Sequence, residues 1–419
     1  MRKSWIVLST FLLVFLLATP ALAADVNLNI NGKPYQPMIL PQIEEGNTMV
    51  PVYVVERVLG AEITTGDENI NIIKNDQTMT LTLNSDKASF NGADVNLPLA
   101  PRRENGEVMV PLRAVMDAFG ARVDWQADTR TVMVGYQEER QGMDAEGIIA
   151  KSNEAMAKFN SYKTKVDMKQ QMEAANPEKA GQKEKMEMNM NMEMAVQNKP
   201  VLVYGKIRTV MDLPGQSITG AIGNSEILLN EQGMYVTMPE QGWVKMTIPG
   251  MDIKALMEQS GNQDPLNSIK QLKDAGVILS FASDQQKEGQ SYWVINVTMG
   301  ADSVSRLTQD VLKQVPLPQG ESSEINQAIE QVFKNMQADI VYNIWINQES
   351  FLSDYMELDS DVKINMQLPS EATEKDEPVT MDMAMQQSAF YEMYDWDVPF
   401  EVPDVSGAVD MSELIPQQQ

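Results

Sequence analysis

Residues 47–61 read NTMVPVYVVERVLGA, and residues 107–121 read EVMVPLRAVMDAFGA. The two stretches share a Met-Val-Pro step, a short apolar segment and a closing Gly-Ala, and they lie in one register with an offset of 60 residues. Further pairs with this offset are Asn31-Gly32 with Asn91-Gly92, Pro41 with Pro101, and Gly46 with Gly106. So many matches without a gap indicate a duplicated unit.

Each copy of this unit predicts a strand, a short helix and a hairpin. Pro51 and Pro111 suit the first helical position, where the missing N–H has no intrahelical partner. Gly60 and Gly120 suit the left-handed position just past the helix end. Helices of about eight residues are marginal in water and need tertiary packing. The two repeats, 27–84 and 87–136, therefore predict one small α+β domain over residues 25–136.

This pattern resembles the copper amine oxidase N-terminal type of stalk domain, a duplicated module of secreted and surface proteins of bacteria. The resemblance covers about residues 26–136 and rests on the paired Met-Val-Pro, short-helix and Gly-Ala segments. Copper amine oxidase chemistry needs histidine copper ligands and a tyrosine-derived quinone in a different, larger domain. This chain contains no histidine. The resemblance therefore implies the stalk and none of the enzyme.

The first 24 residues have the form of a secretory signal peptide. Arg2-Lys3 precedes an apolar run over residues 5–18 and the small-residue pattern Ala21-Leu22-Ala23. A membrane anchor is the alternative, but the run is shorter than the roughly 20 apolar residues that a spanning helix needs. We therefore expect no stable membrane span after signal cleavage. Since the chain has no cysteine, it has no lipobox and no disulfide, and we expect a secreted protein, extracellular or held non-covalently to the cell envelope.

The composition also bears on partners. A net charge of -26 repels phosphate backbones and anionic headgroups, so we expect no nucleic acid partner. An acidic surface keeps an exported protein soluble, and no Asp-x-Asp-x-Asp-Gly loop is present. We predict no metal site and no cofactor, while loose surface binding of calcium stays open. A cell-wall component is a candidate partner.

A polar segment, residues 137–142, predicts a linker, and the pattern changes after it. Asp144 is placed to cap a helix whose apolar stripe includes Ile148 and Ile149. We predict a second domain over 143–400 and an acidic, polar tail over 401–419. Among its strands we predict two separate ones at 353–358 and 362–368.

The most distinctive stretch of the second domain is residues 185–194, KMEMNMNMEM. Methionine occupies every second position, and only a strand places all five on one face, because side chains alternate across a strand. The alternation recurs more weakly at Val166, Met168 and Met172, at Ile364, Met366 and Leu368, and at Met381, Met383 and Met385. Several strands are therefore predicted to turn a methionine-rich face toward one interior.

This face is the candidate ligand-binding site. Methionine is unbranched and polarisable, so such a surface can repack around ligands of variable shape. An ordinary core that happens to use methionine is one alternative. Thioether ligation of copper(I) is another, although no histidine or cysteine assists. The candidate binding residues are Met168, Met186, Met188, Met190, Met192, Met194, Met366 and Met383.

The element order of the second domain is a leading helix, a long meandering sheet, a helical interruption and more sheet. Together with a helix that ends at Asn160-Ser161-Tyr162 and a hairpin over 235–243, this order resembles the LppX/LprG-type lipoproteins and the LolA-like lipoprotein carriers. The resemblance implies a strongly curved antiparallel half-barrel, covered by helices, around an apolar cavity for acyl chains. The chain departs from it in lacking the anchoring cysteine.

Catalytic candidates are few. Without His or Cys, Ser-His and Cys-His nucleophile systems are excluded. The 59 acidic residues make any carboxylate pair uninformative in the sequence. Ser360 and Lys363 match a Ser-x-x-Lys spacing, but a strand places them on opposite faces. We therefore predict no enzyme.

The leading hypothesis is a secreted, non-enzymatic envelope protein that binds an apolar or lipid-like ligand on the methionine-rich sheet of its second domain. The alternative is a structural or adhesive surface module with no small-molecule ligand. A hydrolase that uses carboxylates alone is a weaker third hypothesis. A large apolar cavity would separate the first two.

Overall fold

A computed structural model describes residues 26–175, 183–213, 216–218, 224–246, 271–314, 335–368 and 379–414. The predicted signal peptide and the last five residues lie outside this range. Strands dominate the described chain, and helices are few.

The first domain is built from short strands and two helices. Its helices are α1 (Val52–Leu59) and α2 (Leu112–Ala118). Its strands are β1 (Asn27–Ile30), β2 (Lys33–Tyr35), β3 (Gln42–Glu44), β4 (Asn47–Pro51), β5 (Glu62–Thr65), β6 (Asn69–Lys74), β7 (Gln77–Thr82), β8 (Lys87–Phe90), β9 (Ala93–Asn96), β10 (Arg102–Glu104), β11 (Glu107–Pro111), β12 (Arg122–Gln126) and β13 (Thr131–Gly135). They form three small sheets, with the orders β12-β13-β1-β2, β10-β11-β4-β3 and β5-β6-β7-β8-β9.

The two repeats are interlocked. Strands β4 and β11 pair antiparallel with Val50 opposite Val110, so equivalent residues face each other as in a two-fold relation. The first hairpin, β1–β2, joins the sheet of the second repeat, and β8–β9 of the second repeat joins the sheet of the first. One buried apolar cluster runs through both repeats. The predicted duplication therefore folds as a single α+β unit in which neither repeat completes its sheet alone.

The predicted helix ends are confirmed at the carboxyl side. Gly60 and Gly120 both have positive φ, 61° and 79°, just past α1 and α2. At the amino side the prediction was one residue wrong, because Pro51 and Pro111 are the residues before the first helical turn. Each proline still has the extended ψ of the strand that precedes it, since β4 and β11 pair as far as these residues.

The second domain begins with α3 (Ala145–Met156), and Asp144 caps it as predicted: the Gly147 N–H donates to Asp144 Oδ1 at 2.8 Å. The later helices are α4 (Ala301–Gln314) and α5 (Met411–Leu414). The strands are β14 (Ser161–Ala175), β15 (Lys183–Gln197), β16 (Leu202–Leu213), β17 (Gln216–Ile218), β18 (Asn224–Asn230), β19 (Gly233–Met238), β20 (Gly242–Met246), β21 (Ile278–Phe281), β22 (Gln285–Lys287), β23 (Gln290–Gly300), β24 (Met336–Asn347), β25 (Ser353–Leu368), β26 (Val379–Tyr394) and β27 (Val409–Asp410).

All of these strands belong to one large sheet, with the order β21-β23-β24-β25-β26-β14-β15-β16-β18-β19-β20-β27 and with β17 and β22 paired to β16 and β23. The pairing is antiparallel except between β20 and β27. The predicted break between 353–358 and 362–368 was wrong, because β25 is one continuous strand. Asp359 and Asp361 are exposed on one face and Ser360 is buried on the other, so the acidic residues fit the strand without a turn.

The first domain packs against one end of the large sheet. Arg57 of α1 forms an ion pair with Asp339 of β24, with Nη2 2.9 Å from Oδ2, and Tyr35 Oη lies 3.1 Å from Asp339 Oδ1. Lys74 is fully buried; it donates to the Phe281 carbonyl and pairs with Glu138 at 2.7 Å. Residues 137–142 were predicted to be a linker, and Glu138 within them contributes to this interface.

Glu146 of α3 offers a test of this interface by pH. Its carboxylate lies 3.6 Å from Lys33 Nζ in the first domain and 2.9 Å from Lys273 Nζ. Burial alone would raise the pKa of Glu146, but Lys273 and Lys33 hold it below its ordinary value of 4.5. Because the folded-state pKa is depressed, this contribution to stability is present above about pH 4.5 and is lost as the pH falls through the folded-state value.

Glu146→Gln is therefore expected to lower the free energy of unfolding at pH 7 by up to about 1 kcal/mol and to change it far less in strong acid. Urea unfolding of both proteins at pH 7 and at pH 3 measures this difference. An equal loss at both pH values would contradict the assignment, because it would point to packing rather than charge.

Candidate ligand-binding face

The predicted methionine strand is confirmed as β15, and its partners place further methionines beside it. Met168 on β14 lies opposite Met190 on β15. Met172 lies opposite both Met186 on β15 and Met385 on β26. Directly opposite residues point to the same side of a sheet. We call this side the methionine face; on β14, β15 and β26 it carries Met168, Met172, Met186, Met188, Met190, Met192, Met194, Met383, Met385 and Met393.

Seven of the eight predicted site residues thus share one face. Met366 lies on β25 opposite Met381, and its side chain is outside the described part of the structure. Met172 and Met385 join the set through their register. Whether any of these residues contacts a ligand stays a prediction.

The exposure of the side chains alternates along β15. Its five methionines are half-buried, whereas the intervening Glu187, Asn189, Asn191 and Glu193 are exposed on the other face. A compact patch of fully buried side chains lies beside them at Val166, Leu358 and Ala389, and Met168, Met192 and Met194 pack against it. The methionine face is therefore apolar and only partly covered along β15.

Two glutamines interrupt the methionine face. Gln170 and Gln387 lie opposite each other on β14 and β26. Gln170 Nε2 donates to Met385 Sδ at 3.1 Å, and Gln387 Nε2 donates to Met168 Sδ at 3.3 Å. Sulfur is a weak acceptor, so these amides have hydrogen-bonding capacity left for another partner. Sequence analysis missed them, although Gln170 lies at every second position with Met168 and Met172 and so shares their face of the strand.

Two tyrosines add polar groups to the same side of the sheet. Tyr342 of β24 lies opposite Leu358, which in turn lies opposite Ala389, so these residues point to the same side. Tyr391 lies opposite Val166. Burial raises the pKa of both phenols, and Tyr342 raises that of Tyr391 further. Both hydroxyls therefore stay protonated near neutral pH and can donate.

Helices cover this side of the sheet at its β21–β24 end. Ile148 and Ile149 of α3, with Val304 and Leu307 of α4, pack in one apolar cluster with residues of β23 and β24. Among these are Ile295, Val297, Ile340, Tyr342 and Ile344, whose register places them on the side of the methionine face. Among the described residues, the cluster that these helices join includes none of the methionines of the methionine face.

The Ser-x-x-Lys spacing has no catalytic geometry. Ser360 is buried on the methionine face and Lys363 is exposed on the opposite face, as the strand assignment predicted. Within the described residues no helix has both the length and the apolar character to cross a membrane.

Comparisons with known proteins match two separate parts of the chain. Residues 29–134 match the model of the copper amine oxidase N-terminal domain, which confirms the first resemblance. Residues 144–405, more than half of the chain, match the model of DUF6612. The chain belongs to DUF6612, a family of unknown function. A search of the curated proteins finds no match.

Solved structures similar to this DUF6612 chain include lipoproteins of the types that the sequence resembles. LppX, a lipoprotein of Mycobacterium tuberculosis, is 13% identical over 62% of this chain and 98% of its own, with a TM-score of 0.31. LprF of Mycobacterium bovis is 11% identical over 62% and 96%, with a TM-score of 0.29. A LolA superfamily protein of Nitrosomonas europaea is 12% identical over 61% and 94%, with a TM-score of 0.18. At these scores the superpositions are loose.

Proposed function

We propose that this DUF6612 chain is an exported, non-enzymatic envelope protein that binds an apolar or lipid-like ligand on the methionine face. The large sheet curves as a half-barrel around the ligand, and α3 and α4 cover one end. The observation that carries the proposal is the register of β14, β15 and β26, in which ten half-buried methionines share one side of the sheet.

Methionine side chains suit a ligand of variable shape because three rotatable bonds let each thioether follow the surface placed on it. Removing about 500 Å² of combined apolar surface from water is worth about 12 kcal/mol. Micromolar affinity requires about 8 kcal/mol after the costs of ordering are subtracted. A single acyl chain on the methionine face therefore reaches micromolar affinity when the costs of ordering are about 4 kcal/mol, the lower end of their range.

A structural surface module is the second candidate. The patch at Val166, Leu358 and Ala389 is fully buried without any ligand, as in an ordinary core. In this alternative the rest of the methionine face extends that core, and the first domain serves attachment to the envelope.

Organic extraction of the protein purified from its native culture medium, followed by mass spectrometry, tests the proposal. We expect a lipid in stoichiometric amount with the protein. An empty extract, combined with no uptake of added fatty ester or diacyl lipid, would overturn the proposal and leave the structural module.

A further inference from the structure

A cavity of about 550 Å³ lies where the first domain meets the end of the large sheet. One wall is the segment that follows β2, residues 36–40. The second wall is the first turns of α4, and the third is the start of β24, residues 335–338. The two domains thus form this cavity together.

The cavity adjoins the methionine face. Ala338 in its wall lies opposite Val362, which lies opposite Met385. In the neighbouring row, Met336 lies opposite Ile364, and Ile364 lies opposite Met383. Each step is one strand spacing of about 4.8 Å, so Met385 is about 10 Å from Ala338. A ligand on the methionine face can therefore extend one end into the cavity.

Buried contacts of Tyr35 hold the start of the wall from the first domain in place. Tyr35 precedes the segment; its hydroxyl meets Asp339, the neighbour of Ala338, and its ring lies against Gly300, the residue before α4. Met38 is half-buried and Leu40 is 37% exposed, so the segment presents apolar groups beside the cavity.

The polar lining is mostly amide and hydroxyl. It comprises Gln36, Asp302, Ser305, Gln309, Asn335 and Gln337. An amide offers donors and an acceptor, and a hydroxyl offers both. The side chains of Gln36 and Gln309 are exposed and that of Ser305 is half-buried, whereas Gln337 lies opposite Lys363 and points to the other face of the sheet. A lining whose groups both donate and accept hydrogen bonds suits a polyol, because each hydroxyl of a polyol also donates and accepts.

We propose that the first domain completes the ligand site, and that this cavity takes the uncharged polyol headgroup, glycerol or sugar, of an amphiphile whose chain lies on the methionine face. For the acyl chain of the ligand, the inference rests on the proposed function. It goes further in giving the stalk-type domain a direct role in recognition and in naming the class of headgroup.

Two probes with the same acyl chain test it: mono-oleoylglycerol, which carries two free hydroxyls, and methyl oleate, which carries none. Binding of each to the full chain is measured by titration calorimetry. We expect mono-oleoylglycerol to bind at least ten-fold more tightly. In the variant Gln36→Ala, Ser305→Ala, Gln309→Ala the preference should fall to about two-fold or less, with methyl oleate affinity unchanged.

The matched control removes two exposed amides and one exposed hydroxyl from the opposite face of the sheet: Gln171→Ala, Gln386→Ala, Ser388→Ala. It should keep the full preference. Equal affinity for the two probes, or a preference that the cavity variant retains, would overturn the headgroup site while leaving the methionine face as the binding surface. Failure of both probes to bind would overturn the proposed function as well.

Discussion

Replacing Met188, Met190 and Met192 together with lysine is expected to abolish binding of mono-oleoylglycerol, with a loss of at least 100-fold, while the protein still folds. The three residues are half-buried in the middle of the methionine face, so their new ammonium groups can reach water in the free protein. A bound acyl chain would have to exclude that water, which costs several kcal/mol per unpaired charge. Titration calorimetry measures the affinity, and thermal unfolding checks the fold.

The opposite face of the sheet provides a control of equal charge. Asn189 and Asn191 alternate with the three methionines on β15, Gln171 lies on the neighbouring strand β14, and all three are exposed on that face. Their replacement with lysine should leave lipid binding within about three-fold of the wild type, since electrostatic effects on an uncharged ligand are small at that distance. Undiminished binding by the methionine variant would move the ligand off this face. Equal loss in both variants would point to a disturbed strand.

Arg57→Leu is expected to lower the free energy of unfolding by about 3–5 kcal/mol, because it leaves a buried carboxylate without its cation. Arg57 Nε and Nη2 lie 3.3 and 2.9 Å from Asp339 Oδ2, and the Asp339 side chain is only 9% exposed. Burial alone would lower the pKa of Arg57, but Asp339 and Glu56 raise it above its ordinary value. Arg57 therefore stays charged across the range of pH in which the protein can be studied. Urea unfolding at pH 7 measures the loss.

Two further variants separate the ion pair from its surroundings. Arg57→Leu with Asp339→Leu should recover much of the loss, since neither charge is then buried alone. Arg122→Leu is the surface control: Arg122 and Asp124 are 2.6 Å apart but 82% and 53% exposed, so the change should be below about 1 kcal/mol. If Arg57→Leu costs no more than Arg122→Leu, the buried pair does not stabilise the interface.

Much of the fold could be predicted because its signals are local. The 60-residue offset revealed the duplication, and the positive φ of Gly60 and Gly120 follows from their place after a short helix. The alternation over residues 185–194 predicted both a strand and the face of its methionines, since a period of two allows no other assignment. Register then added Met393, which no alternation in the sequence had included.

The candidate site shows where such reasoning stops. Gln170 has the parity of its methionine neighbours, but only the pairing with β26 shows that it meets Met385 and Gln387. In the sequence it is one glutamine among many. Lys74 is similar: it ends a strand like any surface lysine, yet it is fully buried against Glu138 and Phe281.

The sequence by itself determined the duplication in the first domain, the methionine strand β15 and the face of that strand that carries its methionines. Only the tertiary structure decided the exchange of hairpins between the repeats, the buried Arg57–Asp339 contact and the cavity formed by both domains. The reason is physical. Strand periodicity is a property of neighbouring residues, whereas Arg57 and Asp339 meet across 282 positions of chain through packing that no local pattern records.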